Sequence, residues 1–242
     1  MLISFPALAN SEQGPKTEWT QYINNDGIIG YEHSVPRSKY LESRAETIIN
    51  APIEVLLEVL KDIPSYPQWM HNCLEAILIK QDEELNRVLY IAQDTPFGWP
   101  DRDVIIESFT VDNLDNGSYT ITLRSIANHP FKHPQNETSK KRQRMLEFSG
   151  SWTFQMIERE RTRVSYTVHT NPGGFAPRFI VNSEIRKVSF MTLRGMIAKA
   201  KEDAYIAAAA KSEIRKKIET AIKNGKLAFT ATPQIPETHF RQ

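Results

Sequence analysis

"YTVHTNPGGFAPRFIVN", Tyr166 to Asn182, holds the transition that decides the fold. Alternating strand-like residues run to Thr170, and Asn171-Pro172-Gly173-Gly174 then stops them. Asparagine, proline and glycine each favour a turn for a different steric reason. Pro177 restarts the chain, and proline is tolerated in the first turn of a helix. Beyond it Ile185, Val188, Ser189, Thr192 and Met196 recur at helical spacing, and Phe190, Leu193 and Ile197 widen the stripe. The pattern predicts a helix running past Ala200 through "KEDAYIAAAAKSEIRKKIETAIK" to about Lys223, where Asn224-Gly225 closes it.

Working backwards, the middle of the chain is strand-like throughout. The segments are Leu74–Gln81, Arg87–Gln93, Asp103–Val111, Ser118–Ile126, Arg144–Phe154 and Arg163–Thr170. Turn residues separate them at Asp94-Thr95-Pro96, at Asp112 to Gly117 and in the loop from Pro130 to Lys141. Short consecutive strands with few helices between them indicate an antiparallel meander. Further upstream, "NAPIEVLLEVLKDI" predicts a helix with Asn50 as N-cap, Pro52 in the first turn and Ile53, Leu56, Leu57 and Leu60 on one face. Ser43 to Asn50 reads as a strand. Trp19 to Ile29 reads as a short helix or turn, with a hairpin signal at Asn25-Asp26-Gly27. The predicted class is α+β: a strongly curved antiparallel sheet wrapped around a long C-terminal helix.

Strand alternation separates the two faces of that sheet. One face collects Leu89 and Ile91; Val104, Ile106 and Ser108; Leu146, Phe148, Gly150, Trp152 and Phe154; and Val164, Tyr166 and Val168. Large side chains are interrupted by small or polar ones, as Ser189 and Thr192 interrupt the helix stripe. Two arrangements fit this pattern. Sheet and helix pack solidly, or they enclose a hollow for an apolar ligand.

The 242 residues are 40% hydrophobic and 24% charged with a formal net charge of +1, which is the composition of a folded globular chain. Near-neutrality gives no basis for nucleic acid as a partner. The basic run "SKKRQR" (Ser139 to Arg144) lacks interleaved aromatics and reads as a solvated or membrane-facing loop. A single cysteine, Cys73, rules out an internal disulfide and a multi-cysteine metal site. The six histidines form no HExxH or helical HxxxH pair, since His129 and His133 flank prolines in a loop, and no Gly-rich phosphate loop, GxSxG elbow or paired catalytic carboxylate stands out. No metal, cofactor or catalytic residue is assigned. The N-terminal "MLISFPALANSEQ" fits either a frayed apolar terminus or the remnant of a secretory signal. A soluble protein is expected, periplasmic in the second case and cytoplasmic in the first. Residues 1–15 form that terminus, 16–210 the folded domain and 211–242 a helical extension and tail.

Four segments in order carry a resemblance: "PRSKYLESRAETIINAPIEVLLEVLKDIPSYPQWM", "GWPDRDVII", "RMLEFSGSW" and "NPGGFAPRFIVN". With them the chain, from about Trp19 to about Ala200, resembles single-domain bacterial members of the START (StAR-related lipid-transfer) family, although that family usually has aspartate where Asn171 stands. The resemblance implies a helix-grip fold with a tunnel for one lipid or sterol, which is bound and transferred without covalent chemistry. The expected ligand-binding residues are Leu89, Ile91, Arg102, Val104, Ile106, Ser108, Leu146, Phe148, Trp152, Tyr166, Val168, Ile185, Ser189, Thr192 and Met196. Arg102 and Arg144 serve either as ligand anchors or as structural ion pairs. The loop Asn128 to Lys141 is expected to gate the tunnel, with Phe131 dipping into a bilayer and Lys132, Lys140 and Lys141 near headgroups during a transient membrane contact. The alternatives are a cyclase-type enzyme acting on a polyketide-like or aromatic substrate, which requires ionisable groups such as His169 beside a buried arginine, and a protein-interaction module that uses the helix after Ala200.

Overall fold

The structure is a computed structural model that describes residues 18–82, 85–113, 116–133 and 142–227. Its strands are β1 (Thr20–Asn25), β2 (Ile28–Ser34), β3 (Leu41–Ile49), β4 (Cys73–Gln81), β5 (Arg87–Gln93), β6 (Arg102–Asn113), β7 (Ser118–Ser125), β8 (Gln143–Arg144), β9 (Glu147–Glu158) and β10 (Arg161–Asn171). Its helices are α1 (Ile53–Lys61), α2 (Tyr66–Trp69), α3 (Arg178–Lys199), α4 (Asp203–Ala209) and α5 (Glu213–Lys223), with single 3-10 turns at Ile63–Ser65 and Pro96–Gly98. One sheet holds all ten strands in the order β1-β2-β3-β10-β9-β7-β6-β5-β4, and the short β8 pairs with β6. Every pairing is antiparallel except β8 with β6. The expected curved sheet and C-terminal helix are both present. β1 replaces the expected short helix: Asp26 and Gly27 take positive φ of 52° and 73° and close a tight hairpin.

The turn at Asn171–Pro177 works through its own backbone chemistry. Asn171 Oδ1 accepts the Gly173 N–H at 3.2 Å, and Gly173 and Gly174 sit at φ 69° and 62°, where a side chain would be strained. Pro177 then caps α3, which crosses the concave face. Polar groups fasten it on the β1–β3 side. Ser189 Oγ meets Ser43 Oγ at 2.7 Å, Asn182 Oδ1 accepts the Leu41 N–H at 3.0 Å, and Tyr22 Oη donates to the Arg186 carbonyl at 2.9 Å. Arg186 also forms a two-pronged ion pair with Glu32.

Two sequence expectations need correction. α1 begins at Ile53 with Pro52 at the cap, so Asn50 does not cap it. The long C-terminal helix is three helices, because at 1.5 Å per residue a continuous rod from 178 to 223 would be about 70 Å long and overrun a domain of this size. Breaks after Lys199 and Ala209 fold the chain back instead, so Tyr205 Oη reaches Asp62 Oδ2 at 2.7 Å and Ile214 and Ile218 join the main core. Ser212 caps α5 by accepting the Arg215 N–H at 3.1 Å. Arg159 and Arg215 meet the fully buried carboxylate of Glu54. Residues 211–227 therefore pack on the same core as the rest.

α2 and α3 touch backbone to backbone at Gly195, where an added Cβ would sit 2.1 Å from the Trp69 carbonyl oxygen. Gly195→Ala is expected to lower stability by about 1–3 kcal/mol through the displacement of α3. Urea denaturation monitored by circular dichroism will show this as a lower midpoint.

Candidate functional site

Three cavities follow one another between the concave sheet face and α3. The outer one, about 90 Å³, is lined by Arg102, Met145, Pro172 and Ala176, by Thr95, Pro96 and Trp99 of the β5–β6 loop, and by Ile185 and Val188 of α3. A narrow waist of about 10 Å³ shares Gln93 and Val188 with it. An inner space of about 40 Å³ shares Met70, Ile91, Ile106, Phe148 and Tyr166 with the waist. Leu60 and Tyr66, from α1 and α2, close the far end. The walls are mostly apolar, as ligand sites are, but such sites usually enclose about 300–1,000 Å³. As it stands the hollow accommodates only a short apolar segment.

Aromatic stacking accounts for the narrowness. Trp152 lies flat on Tyr166 with ring centroids 4.1 Å apart, Phe154 continues the stack at 6.0 Å, and Trp69 leans on Trp152 at 6.4 Å. Trp152 and Tyr166 are register partners on β9 and β10, so their contact follows directly from strand pairing.

The sequence-derived residues divide into three groups. Leu89, Ile91, Arg102, Val104, Ile106, Ser108, Phe148, Trp152, Tyr166, Ile185 and Thr192 line one or more of the cavities. Val168, Ser189 and Met196 are buried in the packing between sheet and helix without facing a cavity. Leu146 is 66% exposed, which corrects the alternation used to place it. β8 ends at Arg144 and the chain bends before β9 begins at Glu147, so Met145 takes the inward position and Leu146 turns out beside Gly173. Sequence alternation also missed α1, α2 and the β5–β6 loop as parts of the wall, because these residues come together only through the tertiary fold.

Phe131 is likewise corrected. It lies on the convex side of the sheet, 5.4 Å from the Tyr90 ring, against a small core of Val88, Tyr90, Ala92 and Ile105. His133 stacks on the same tyrosine at 5.0 Å and meets Glu75 at 3.0 Å, so this start of the loop is pinned away from the cavities. Lys132 is exposed there, and Lys140 and Lys141 lie outside the described residues, as do residues 1–15. Arg144 forms a two-pronged ion pair with Asp103 at 2.8 and 3.2 Å. His169 bonds the Leu41 carbonyl at 2.9 Å and lines none of the three cavities.

Four of the ionisable groups facing the hollow, Cys73, Tyr66, Tyr166 and His71, are shifted towards their uncharged forms. Burial pushes the Cys73 thiol up to about 11 and raises the Tyr66 and Tyr166 phenols, with Arg87 partly opposing the rise at Tyr66. Burial lowers His71, partly opposed by the Glu184 carboxylate 3.9 Å away. Arg87 caps the C-terminus of α1, donating to the Leu60 carbonyl at 2.9 Å and the Lys61 carbonyl at 3.5 Å. Neutral phenols, a neutral thiol and a neutral imidazole suit contact with an apolar ligand.

Residues 49–197 match the polyketide cyclase / dehydrase and lipid transport family, and the chain belongs to it. The fold is that of a START-like domain. An uncharacterized protein of Pseudomonas aeruginosa is 29% identical over 185 residues, covering 76% of this chain and 88% of the relative. Among solved structures, a STAR-related lipid transfer protein from Xanthomonas axonopodis superposes with a TM-score of 0.67 at 21% identity, covering 76% of this chain and 99% of that one. Human StAR-related lipid transfer protein 5 superposes with a TM-score of 0.66 at 14% identity, covering 77% and 88%. No helix among the described residues is long and apolar enough to cross a membrane.

His71 gives a pH signature. Its folded-state pKa lies below the ordinary value of 6.5, so the folded protein takes up that proton at a cost. Its contribution to stability is complete above 6.5 and is lost as pH falls through that value towards the folded one. The urea midpoint is expected to fall between about pH 7.5 and about pH 5, and to fall less in His71→Gln.

Proposed function

We propose that the protein holds one lipid- or sterol-like molecule between its sheet and α3 and transfers it at membrane surfaces without covalent chemistry. The observation that carries this is the apolar string of cavities, whose outer end adjoins three exposed apolar side chains. Phe175 is 87% exposed, Phe179 74% and Leu146 66%, and each adjoins a residue that lines the outer cavity. Exposed phenylalanines cost free energy in water and gain it in the headgroup–acyl boundary of a bilayer. Arg178, exposed between the two phenylalanines, carries a positive charge towards lipid phosphates. This reading puts membrane contact on the turn before α3 and the first residues of α3 rather than on the loop of Phe131.

A tail entering the hollow leaves water at about 0.8 kcal/mol per methylene, which offsets the cost of shifting α3 and unstacking aromatic rings. Delipidated protein is expected to take up one equivalent of a fluorescent sterol or phospholipid and to melt at a higher temperature when loaded, because ligand binds only the folded state. Native mass spectrometry and thermal unfolding measure both. Failure to take up any member of a broad lipid panel overturns the proposal. Turnover of an aromatic polyketide-like substrate, lost in His71→Gln, would instead favour a cyclase.

The docking face has its own test. Phe175→Ser/Phe179→Ser is expected to slow lipid exchange between vesicles by about tenfold or more, since each phenylalanine loses roughly 1.5–3 kcal/mol of burial, while stoichiometric loading persists. Phe131→Ser is expected to lower stability and leave the exchange rate unchanged.

A further inference from the structure

Arg102 stands on the wall of the outer cavity and is only 5% exposed. Other buried charges in this protein meet an opposite charge, Glu54 with Arg159 and Asp103 with Arg144. Arg87 has the negative end of a helix. Arg102 has neither. Its Nε donates to the Pro172 carbonyl at 3.2 Å and its Nη1 to the Pro100 carbonyl, both single loop groups, and no carboxylate pairs with it among the described residues.

Burial lowers its pKa, with Asp101 and Tyr40 opposing from a distance. The Asp101 carboxylate itself accepts the Thr95 N–H at 3.3 Å. A guanidinium has five N–H donors, and among the described residues only two of these reach protein acceptors. The remaining donors form a planar fork suited to an oxyacid.

We propose that Arg102 is the head-group anchor of the ligand, pairing with a singly charged oxyacid on an apolar chain whose tail runs inward past Val188 and Ile91 towards Trp152. This rests on the lipid-binding function proposed above. A single charge fits because Asp94 and Glu184 line the same cavity and disfavour a second negative charge. A fatty-acid carboxylate and a phosphodiester head group share this chemistry. The carbonyl bonds also join the β5–β6 loop to the turn before α3, so a bound head group sits where the two walls of the mouth meet.

Delipidated protein is titrated with oleate, methyl oleate and dioleoylphosphatidylglycerol, following tryptophan fluorescence and native mass spectra. The wild type is expected to bind at least one of the two acids about tenfold or more tighter than the ester, the range of a hydrogen-bonded charge. Arg102→Gln brings the acids down to the level of the ester and leaves the ester within about twofold of wild type, which a purely structural role for Arg102 would not do. Which acid wins identifies the head group. Equal binding of acids and ester by the wild type overturns the anchor and leaves lipid binding intact, whereas no binding of any of the three overturns both. If Arg102→Gln does not fold, the acid-to-ester ratio of the wild type and its retention in Arg102→Lys decide the matter.

Discussion

The structure depends on laying a partly polar helix across a concave sheet and keeping it there. The buried face of α3 carries Asn182, Ser189 and Thr192 among its apolar residues. A buried hydroxyl or amide without a partner costs on the order of 1–3 kcal/mol, so each must find one. They do so through Leu41, Ser43 and His71, whose N–H or hydroxyl groups lie within hydrogen-bond distance. These bonds fix the rotation and the register of α3. A uniformly apolar stripe would leave both free to slide. Only with α3 in this register do Ile185 and Val188 face the β5–β6 loop and leave space in front of Arg102.

Much of the fold was legible in the sequence because two periods change sharply at one place. Strand alternation up to Thr170, the turn at Asn171–Pro177 and helical spacing after it give the sheet, its last strand and the direction of α3. The wall residues of β5, β6 and β10 were legible for the same reason, since alternation fixes their faces. Leu146 was not: the break between β8 and β9 shifts alternation by one residue, and nothing between Arg144 and Phe148 marks a bend. The breaks at Ala200 and Ala210 were hidden because "AKAKEDAYIAAAAKSEIRKKIE" consists mostly of strong helix formers, while packing of α4 on α1 accompanies the turn of the chain.

The state of Arg102 and Arg144 belongs to the same lesson. Both precede or enter strands, and both sit beside an aspartate in sequence or space. Spacing could not say which would keep a carboxylate. Cross-strand geometry decides it: β8 runs parallel to β6 and sets Arg144 opposite Asp103, whose side chain points away from the cavities. Arg102, one residue earlier on β6, points the other way and faces the hollow. Phe131 shows the reverse error, in which an exposed-looking aromatic in a loop found a small core of its own on the convex face.

The polar fasteners of α3 are unevenly distributed. The bonds to Tyr22, Leu41 and Ser43 and the ion pair to Glu32 lie towards the β1–β3 margin of the sheet, while the opposite side of the helix is held by Thr192 to the His71 N–H and by Glu184 to Asn72. Such an attachment has the layout of a lid with most of its polar bonds along one side and a lighter latch along the other. A tilt about the β1–β3 margin would widen the gap in front of the β5–β6 loop at the cost of the bonds to His71 and Asn72, with every bond between strands kept.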